Sequence, residues 1–167
     1  MPNWITANRL ANIAPQPNHQ AWLLERGSLT LRLKQHCPDL KVKILQEGLF
    51  APLADEAQRL GMTDHHQAWL RCVKIECQGR GLIYARTVIP QFDADNPWYQ
   101  IQQLGDQPLG EILFTRRDLQ RSEFEFCHAD HWPHLKGDHL ARRCIFEQNT
   151  APLLLTEVFL DFLKTKS

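Results

Sequence analysis

The sequence predicts an α+β fold, a single domain with a mainly antiparallel β-sheet covered by helices. A chain of 167 residues is long enough for one compact domain and short for two. Helical segments and strand pairs follow one another in blocks, without the regular alternation of a doubly wound fold. Turn residues at 79–81 and at 148–152 each separate two strand-like segments by a short distance, which favours antiparallel hairpins.

Two helices are predicted near the amino terminus of a single domain that spans residues 1–167. Residues 1–17 are rich in asparagine and proline and are interpreted as an irregular lead-in. Asn18 is expected to cap the first helix, and Ser28 to cap a second helix that reaches His36. The first N–H groups of a helix have no partner within it, so the amides near Ser28 and Leu29 could bind an anion.

Strands and short helices account for the rest of the chain. Strands are predicted at residues 41–50, 66–77, 82–89, 118–127, 139–146 and 153–160. Short helices are predicted at residues 97–104, where Gly105 ends the helix, and at residues 108–114. The second and third strands form the hairpin with the strongest turn signal.

Composition and charge exclude several classes of function. The 19 lysines and arginines balance 19 aspartates and glutamates, so the chain lacks the basic excess that is typical of nucleic-acid binding. Its apolar runs are shorter than the roughly 18 residues of a membrane span, and the first residues do not resemble a signal peptide. We expect a cytoplasmic protein without nucleic-acid partners or stable membrane insertion. We also expect a monomer, because no heptad pattern or long apolar face demands a partner.

The cysteines and histidines do not predict a metal site. Five cysteines are present without a CxxC pair, and we expect reduced thiols because the count is odd and no export signal is visible. One cysteine and four histidines crowd into residues 127–139, but their spacing matches no standard zinc motif. We interpret this segment as a solvated loop and expect no metal ligands.

Three charged residues lie in apolar rows of the predicted strands: Arg71, Arg86 and Glu157. A buried charge needs a partner, because leaving it unpaired costs several kcal/mol or more. One interpretation is an internal arginine–glutamate pair that holds strands together. Another is a pocket in which Arg71 binds an anionic ligand and Glu157 faces a ligand hydroxyl. A third is that the register of the last strand is misassigned, since both of its faces are rather apolar.

These residues lie in blocks that resemble the chorismate pyruvate-lyase family, which converts chorismate to 4-hydroxybenzoate and pyruvate in the first step of ubiquinone biosynthesis. One block, residues 85–90, reads Ala-Arg-Thr-Val-Ile-Pro and resembles an Arg-Thr-Val-hydrophobic-Pro signature. The other blocks lie in the family's order at residues 22–25, 28–30, 46–50, 68–71, 104–105, 108–110, 113–115 and 152–160, and no single block is decisive. Together they span most of the chain.

The resemblance implies a set of site residues. Arg71 would bind the ring carboxylate of chorismate and of 4-hydroxybenzoate, and the backbone amides of Leu29 and Leu109 would complete that carboxylate site. Glu157 would lie against the C4 hydroxyl. Arg86 would meet the enolpyruvyl carboxylate. A main-chain contact at Leu29 tolerates side-chain variation, because the N–H group survives any substitution other than proline.

The resemblance also implies a buried ligand under helical flaps, here residues 27–28 and residues 105–110. Loss of pyruvate makes the ring aromatic, so the chemistry requires no metal or redox cofactor. Whether Glu157 acts as acid, base or only as an orienting group stays open. Two other functions remain: a non-catalytic domain that binds small aromatic acids, as the effector domains of some repressors do, and a lyase that yields another hydroxybenzoate isomer.

Overall fold

The computed structural model describes residues 1–63 and 66–160. The helices are α1 (Pro17–Leu23), α2 (Leu29–His36), α3 (Ala54–Leu60) and α4 (Leu109–Leu113), with 3-10 helices at Ala7–Asn12 and Tyr99–Gln103. The strands are β1 (Ile5–Thr6), β2 (Lys41–Phe50), β3 (Ala68–Cys77), β4 (Arg80–Ile89), β5 (Gln120–Arg121), β6 (Glu125–Ala129), β7 (His139–Gln148) and β8 (Ala151–Phe159).

The strands form one eight-stranded sheet in the order β1-β6-β7-β8-β4-β3-β2, with β5 beside β7. Every pair of neighbouring strands is antiparallel. The predicted hairpin is present as β3–β4, and β7–β8 forms a second one. The predicted α+β class with an antiparallel sheet is confirmed.

Alternation along the strands gives the sheet two faces with different partners. Odd-numbered residues of β3, β4 and β8, from Arg71 to Glu157, point toward α2 and α4; we call this the site face. On the opposite face, which we call the rear face, Arg86 contacts Glu56 of α3. Both faces carry buried apolar clusters, so the sheet forms the middle layer of the domain.

The start of α2 follows the sequence prediction. The Ser28 side chain accepts a hydrogen bond from the backbone N–H of Leu31 at 3.2 Å, as an N-cap should. The start of α1 does not: its N-cap is Gln16, not Asn18, and Pro17 occupies the first helical position. Proline suits that position because its ring fixes a helical φ and the missing N–H would be unpaired anyway.

Several elements differ from the prediction. The lead-in contains β1, whose Ile5 pairs with Phe126 of β6. The strand expected at residues 118–127 is divided into β5 and β6, and between them the Ser122 hydroxyl accepts a hydrogen bond from the Ile145 N–H at 2.8 Å. The sequence did not predict α3. The carboxylate of Glu56 accepts the Leu53 N–H at 2.9 Å and so caps its first turn.

The expectation of reduced cysteines is wrong for one pair. Cys37, directly after α2, is disulfide-bonded to Cys77 at the end of β3, with 6.3 Å between their Cα atoms. The two residues lie 40 positions apart, so their pairing depends on how α2 packs on the sheet. The other three cysteines, Cys72, Cys127 and Cys144, are free and buried.

Within residues 1–63 and 66–160, the helices are too short or too polar to span a lipid bilayer.

Candidate active site

A cavity lies between the site face and the two segments that cover it, residues 27–30 and residues 108–114; we call these the cover segments. Its volume is about 60 Å³, which is small beside the roughly 300 Å³ or more of typical ligand pockets. The cavity is therefore too small for a ring-sized ligand as it stands, and the cover segments must move to admit one. Most of the wall is apolar. The charged side chains in it are Arg71, Arg121, Arg142 and Glu157.

Arg71 lies on β3 at one end of the cavity and is only 2 % exposed. Its guanidinium donates to the carbonyl oxygens of Gly105 and Gln107, both at 2.9 Å, and so fixes the loop that leads into α4. Burial lowers the pKa of Arg71, although the nearby carboxylates of Glu47, at 3.6 Å, and Asp106 counteract this effect. Two of the five N–H donors serve the loop, so others remain for an anionic ligand.

Glu157 lies on β8, with β4 between it and Arg71. Arg71 is paired with Thr87 on β4, and Thr87 is paired with Leu155 on β8, two residues before Glu157. With standard strand spacing and rise, this offset places the two backbone positions about 12 Å apart. Because both side chains face the cavity, a guanidinium and a carboxylate flank the space between them.

Glu157 does not stand alone. Its Oε1 atom accepts a hydrogen bond from Nε of Arg142 on β7 at 2.9 Å. Nη1 of Arg142 also donates to the carbonyl oxygens of Leu23, at 3.0 Å, and Glu25. The Glu157 side chain is 15 % exposed and that of Arg142 is 3 % exposed, so this ion pair is largely screened from water.

The two predicted amide donors both lie in the cavity wall. Leu29 is the first residue of α2 and Leu109 the first residue of α4, where an N–H group has no acceptor within the helix. The two helices also meet each other: a Cβ atom added to Gly110 would lie 3.1 Å from the Ser28 hydroxyl. The cover segments therefore pack closely together above the sheet.

Arg86 is placed differently from the other predicted residues. It lies outside the cavity wall, on the rear face, where its Nε and Nη2 atoms donate to both carboxylate oxygens of Glu56 at 2.7 and 2.9 Å. Although burial disfavours its charge, the bonded Glu56 carboxylate raises the pKa of Arg86. Arg86 therefore fits the interpretation of an internal arginine–glutamate pair with a structural role. We leave Arg86 out of the candidate site, because a contact with substrate would require it to point through the sheet.

Sequence reasoning missed two arginines of the cavity wall. Arg142, Cys144 and Phe146 alternate along β7 on the site face, but the adjacent Arg143 lies in an apolar row on the other face, so alternation alone does not select Arg142. Arg121 has no such signal, since β5 has only two residues. Its guanidinium lies 5.1 Å from the ring centre of Phe124, and burial lowers its pKa.

The described residues contain no group of three histidine, cysteine or acidic side chains arranged to hold a metal ion. In the histidine-rich segment, His131 binds the Asp55 carboxylate at 3.1 Å and His139 binds the Lys136 carbonyl at 2.8 Å. Cys144 lies in the cavity wall, where burial raises its pKa to about 12. Its thiol is therefore neutral near pH 7, and a nucleophilic thiolate is not part of the site.

Comparison with known proteins supplies the relatives of this chain. Residues 1–166 match a protein family described as chorismate lyase. A probable chorismate pyruvate-lyase of Hydrogenovibrio crunogenus is 39% identical over 168 residues, which cover 96% of this chain and 91% of that protein. A chorismate pyruvate-lyase of Hamiltonella defensa is 35% identical over 141 residues, covering 83% of this chain and 75% of that protein.

Solved structures with the same fold include transcriptional regulators. A GntR-family regulator of Bacillus cereus has a TM-score of 0.55 and 8% identity, with 77% of this chain and 95% of that chain covered. The C-terminal domain of the histidine utilization repressor of Pseudomonas syringae has a TM-score of 0.54 and 11% identity, with 72% and 90% covered. At these identities the likeness concerns the fold alone.

Proposed function

The chain belongs to the chorismate lyase family, and we propose that it is a lyase that converts chorismate to 4-hydroxybenzoate and pyruvate. One observation carries this proposal most strongly: Arg71 and Glu157 lie at separate positions in the wall of one small cavity beneath the cover segments. The arrangement suits a small ring that bears a carboxylate on one side and a hydroxyl on the other.

Arg71 binds the ring carboxylate in this proposal. A guanidinium recognises a carboxylate through two parallel hydrogen bonds, and the low polarity of the surrounding wall strengthens them. The amides of Leu29 and Leu109 complete the site from the cover segments. Because Arg71 also holds the Gly105 and Gln107 carbonyls, carboxylate binding is linked to the position of the loop before α4.

Glu157 accepts a hydrogen bond from the C4 hydroxyl in this proposal. Its Oε1 atom is occupied by Arg142, which leaves Oε2 for the ligand. A hydrogen bond from the hydroxyl to Glu157 fixes which ring carbon faces the Glu157 carboxylate. Selection of 4-hydroxybenzoate over its 3-isomer then follows from the separation between Arg71 and Glu157.

The charge of the cavity suits a dianion. Three guanidinium groups and one carboxylate lie in the wall, so positive charge is in excess. Chorismate carries two carboxylates, which the excess of positive charge in the wall attracts. The structure therefore supports a substrate with more negative charge than its product.

The reaction depends more on the orientation of the substrate than on an acid or base supplied by the enzyme. The C–O bond between the ring and the enolpyruvyl group breaks, and the hydrogen on the hydroxyl-bearing ring carbon moves to the methylene carbon of that group. The products are the aromatic ring of 4-hydroxybenzoate and the methyl group of pyruvate, and no net oxidation or reduction occurs. Holding the substrate in the reactive conformation and compensating its charge supply the catalysis.

The cover over the cavity also predicts how the product leaves. The aromatic product keeps the carboxylate and hydroxyl that the site recognises, and the cover segments must open to release it. Product release is therefore slow, and 4-hydroxybenzoate inhibits the enzyme. We further propose that the protein acts as a cytoplasmic monomer, at the first step of ubiquinone biosynthesis.

The test is incubation of the purified protein with chorismate in a chelator, with products identified by chromatography. Equal amounts of 4-hydroxybenzoate and pyruvate from the wild type, and strongly reduced amounts from Arg71→Gln and Glu157→Gln, support the proposal. Formation of 3-hydroxybenzoate would assign a different lyase. Absence of turnover together with thermal stabilisation by 4-hydroxybenzoate would mean a binding module in place of an enzyme.

A further inference from the structure

Arg142 is the most highly connected charged group in the cavity wall. It lies on β7 directly opposite Glu157 of β8 in the strand register. Its Nε atom donates to Glu157 Oε1 at 2.9 Å, and its guanidinium carbon lies 4.3 Å from the ring centre of Phe124. The side chain is 3 % exposed, so its position is set by the protein and not by water.

The other hydrogen bonds of Arg142 are to residues just before the first cover segment in the chain. Nη1 donates to the carbonyl oxygens of Leu23 and Glu25. Leu23 is the last residue of α1, where carbonyl groups lack helical donors, and a cation is favoured at that end of a helix. Residues 23–25 lead within a few positions to Ser28 and the first amide of α2. One guanidinium therefore contacts both the hydroxyl end of the cavity and the chain that approaches its cover.

A free glutamate side chain has three rotatable bonds and populates many orientations. Paired with a guanidinium that is itself fixed by two carbonyls and a ring, Glu157 keeps one orientation in the cavity wall, with Oε1 bonded to Arg142. Preorganisation of this kind increases affinity because the ordering cost is met before the ligand binds.

We propose that Arg142 is a positioning residue that sets the orientation of Glu157 toward the ligand hydroxyl and ties it to residues 23–25 next to the cover. This inference rests on the proposed function, since it assigns a role within the same site. Arg142 acts through Glu157, so its removal impairs recognition of the hydroxyl specifically. Recognition of the carboxylate by Arg71 depends on β3 and the 105–107 loop, and is retained.

The neighbouring arginine provides a matched control. Arg143 is on the same strand, and its side chain is 7 % exposed. It points to the rear face, where it binds Glu125 Oε1 at 3.0 Å and lies 4.1 Å from the ring centre of Trp4. Both arginines pair with a carboxylate and an aromatic ring, but only Arg142 lies in the cavity wall. A general effect of losing a buried arginine therefore appears in both variants.

The experiment compares the affinities of 4-hydroxybenzoate and benzoate, which lacks the hydroxyl, for the wild type, Arg142→Gln, Arg143→Gln and Glu157→Gln. In Arg142→Gln we expect the preference for 4-hydroxybenzoate to fall about tenfold, the value of a charge-assisted hydrogen bond. Arg143→Gln retains the wild-type preference. The double variant Arg142→Gln/Glu157→Gln shows no further loss beyond Glu157→Gln, because both changes remove the same contact.

A variant that weakens both ligands equally would show that Arg142 only supports the fold, and would overturn the inference. If Arg142→Gln does not fold, Arg142→Lys keeps the charge without the planar fork, and the same loss of preference is expected. Turnover of chorismate by the wild type distinguishes a failure of the Arg142 role from a failure of the proposed lyase function. Turnover with a preference that is lost in Glu157→Gln but unchanged in Arg142→Gln overturns the role of Arg142 alone. Absence of turnover and of any wild-type preference for 4-hydroxybenzoate overturns the proposed function and this role together.

Discussion

Arg71 and Arg86 lie on adjacent strands and are equally buried, at 2 % exposure each, yet they point to opposite faces of the sheet. Arg71 donates to two loop carbonyls and faces the cavity, whereas Arg86 is held by both oxygens of Glu56. The Glu47 carboxylate lies 3.6 Å from Arg71, beyond hydrogen-bond distance, so Arg71 has donors left for a ligand, while Arg86 is bonded to both oxygens of its carboxylate partner. This difference is the reason that we assign ligand binding to Arg71 and a structural role to Arg86.

Replacing Arg71 by glutamine should impair binding far more than folding. The ligand carboxylate would be buried without its cation, with an expected loss of about 2–5 kcal/mol in affinity. Isothermal titration with 4-hydroxybenzoate measures the loss, and thermal unfolding of the same variant is the control. Affinity within twofold of the wild type would contradict the role of Arg71.

Replacing Arg86 by glutamine should have the opposite result. Glu56 would be left as a buried, unpaired carboxylate, and the free energy of unfolding should fall by about 3–5 kcal/mol. Urea unfolding measures this change, and Arg86→Gln/Glu56→Gln, which leaves no unpaired charge, should recover part of it. Ligand affinity of the folded protein should be retained. A variant of normal stability with lost affinity would return Arg86 to the site.

Reduction of the Cys37–Cys77 bond should destabilise the protein. The bond closes a loop of about 40 residues, for which the expected contribution to the free energy of unfolding is about 2–5 kcal/mol. Thermal unfolding with and without a dithiol measures it. Cys37→Ser should resemble the reduced wild type and should not respond to the dithiol. Equal stability of oxidised wild type and Cys37→Ser would show that the bond contributes nothing.

Stability should decrease in alkaline solution because of the buried thiols. Burial raises the pKa of Cys127 from 9.0 to about 12, so the unfolded chain releases this proton at lower pH than the native protein. The contribution of the protonated Cys127 thiol to the free energy of unfolding is therefore fully present below about pH 9 and is lost as the pH rises toward 12. Urea unfolding between roughly pH 8 and pH 10.5 checks whether the free energy of unfolding falls as the pH rises.

Cys127→Ala is the control for this pH dependence, since it lacks the titrating thiol and lies outside the cavity wall. Its free energy of unfolding should decline less steeply with pH than that of the wild type. Parallel curves for the two proteins would mean that other groups, such as lysines and tyrosines, account for the decline.

Local patterns were sufficient for part of this account. The Ser28 cap and the apolar rows around Arg71 and Glu157 depend on neighbours within a few residues, and the structure agrees with them. Alternation showed that Arg86 lies in an apolar row, but not which face of β4 carries the cavity. That choice is made by α3, whose Glu56 binds Arg86 from 30 positions away.

Other features depend on contacts that the sequence does not display. Arg142 and Arg143 are consecutive, so each face of β7 receives one arginine and the pattern gives neither preference. The seven residues of α3 make a weak helical signal, and the helix is held by its buried carboxylates. The Cys37–Cys77 bond joins the ends of two elements that meet only after packing.

The most direct test of the account is the crystal structure of the complex with 4-hydroxybenzoate. The account predicts one ligand in the cavity under the cover segments, with its carboxylate on Arg71 and on the Leu29 and Leu109 amides, and with its hydroxyl on Glu157. A ligand in the reverse orientation, or one bound outside the cavity, would contradict the assignment of these residues.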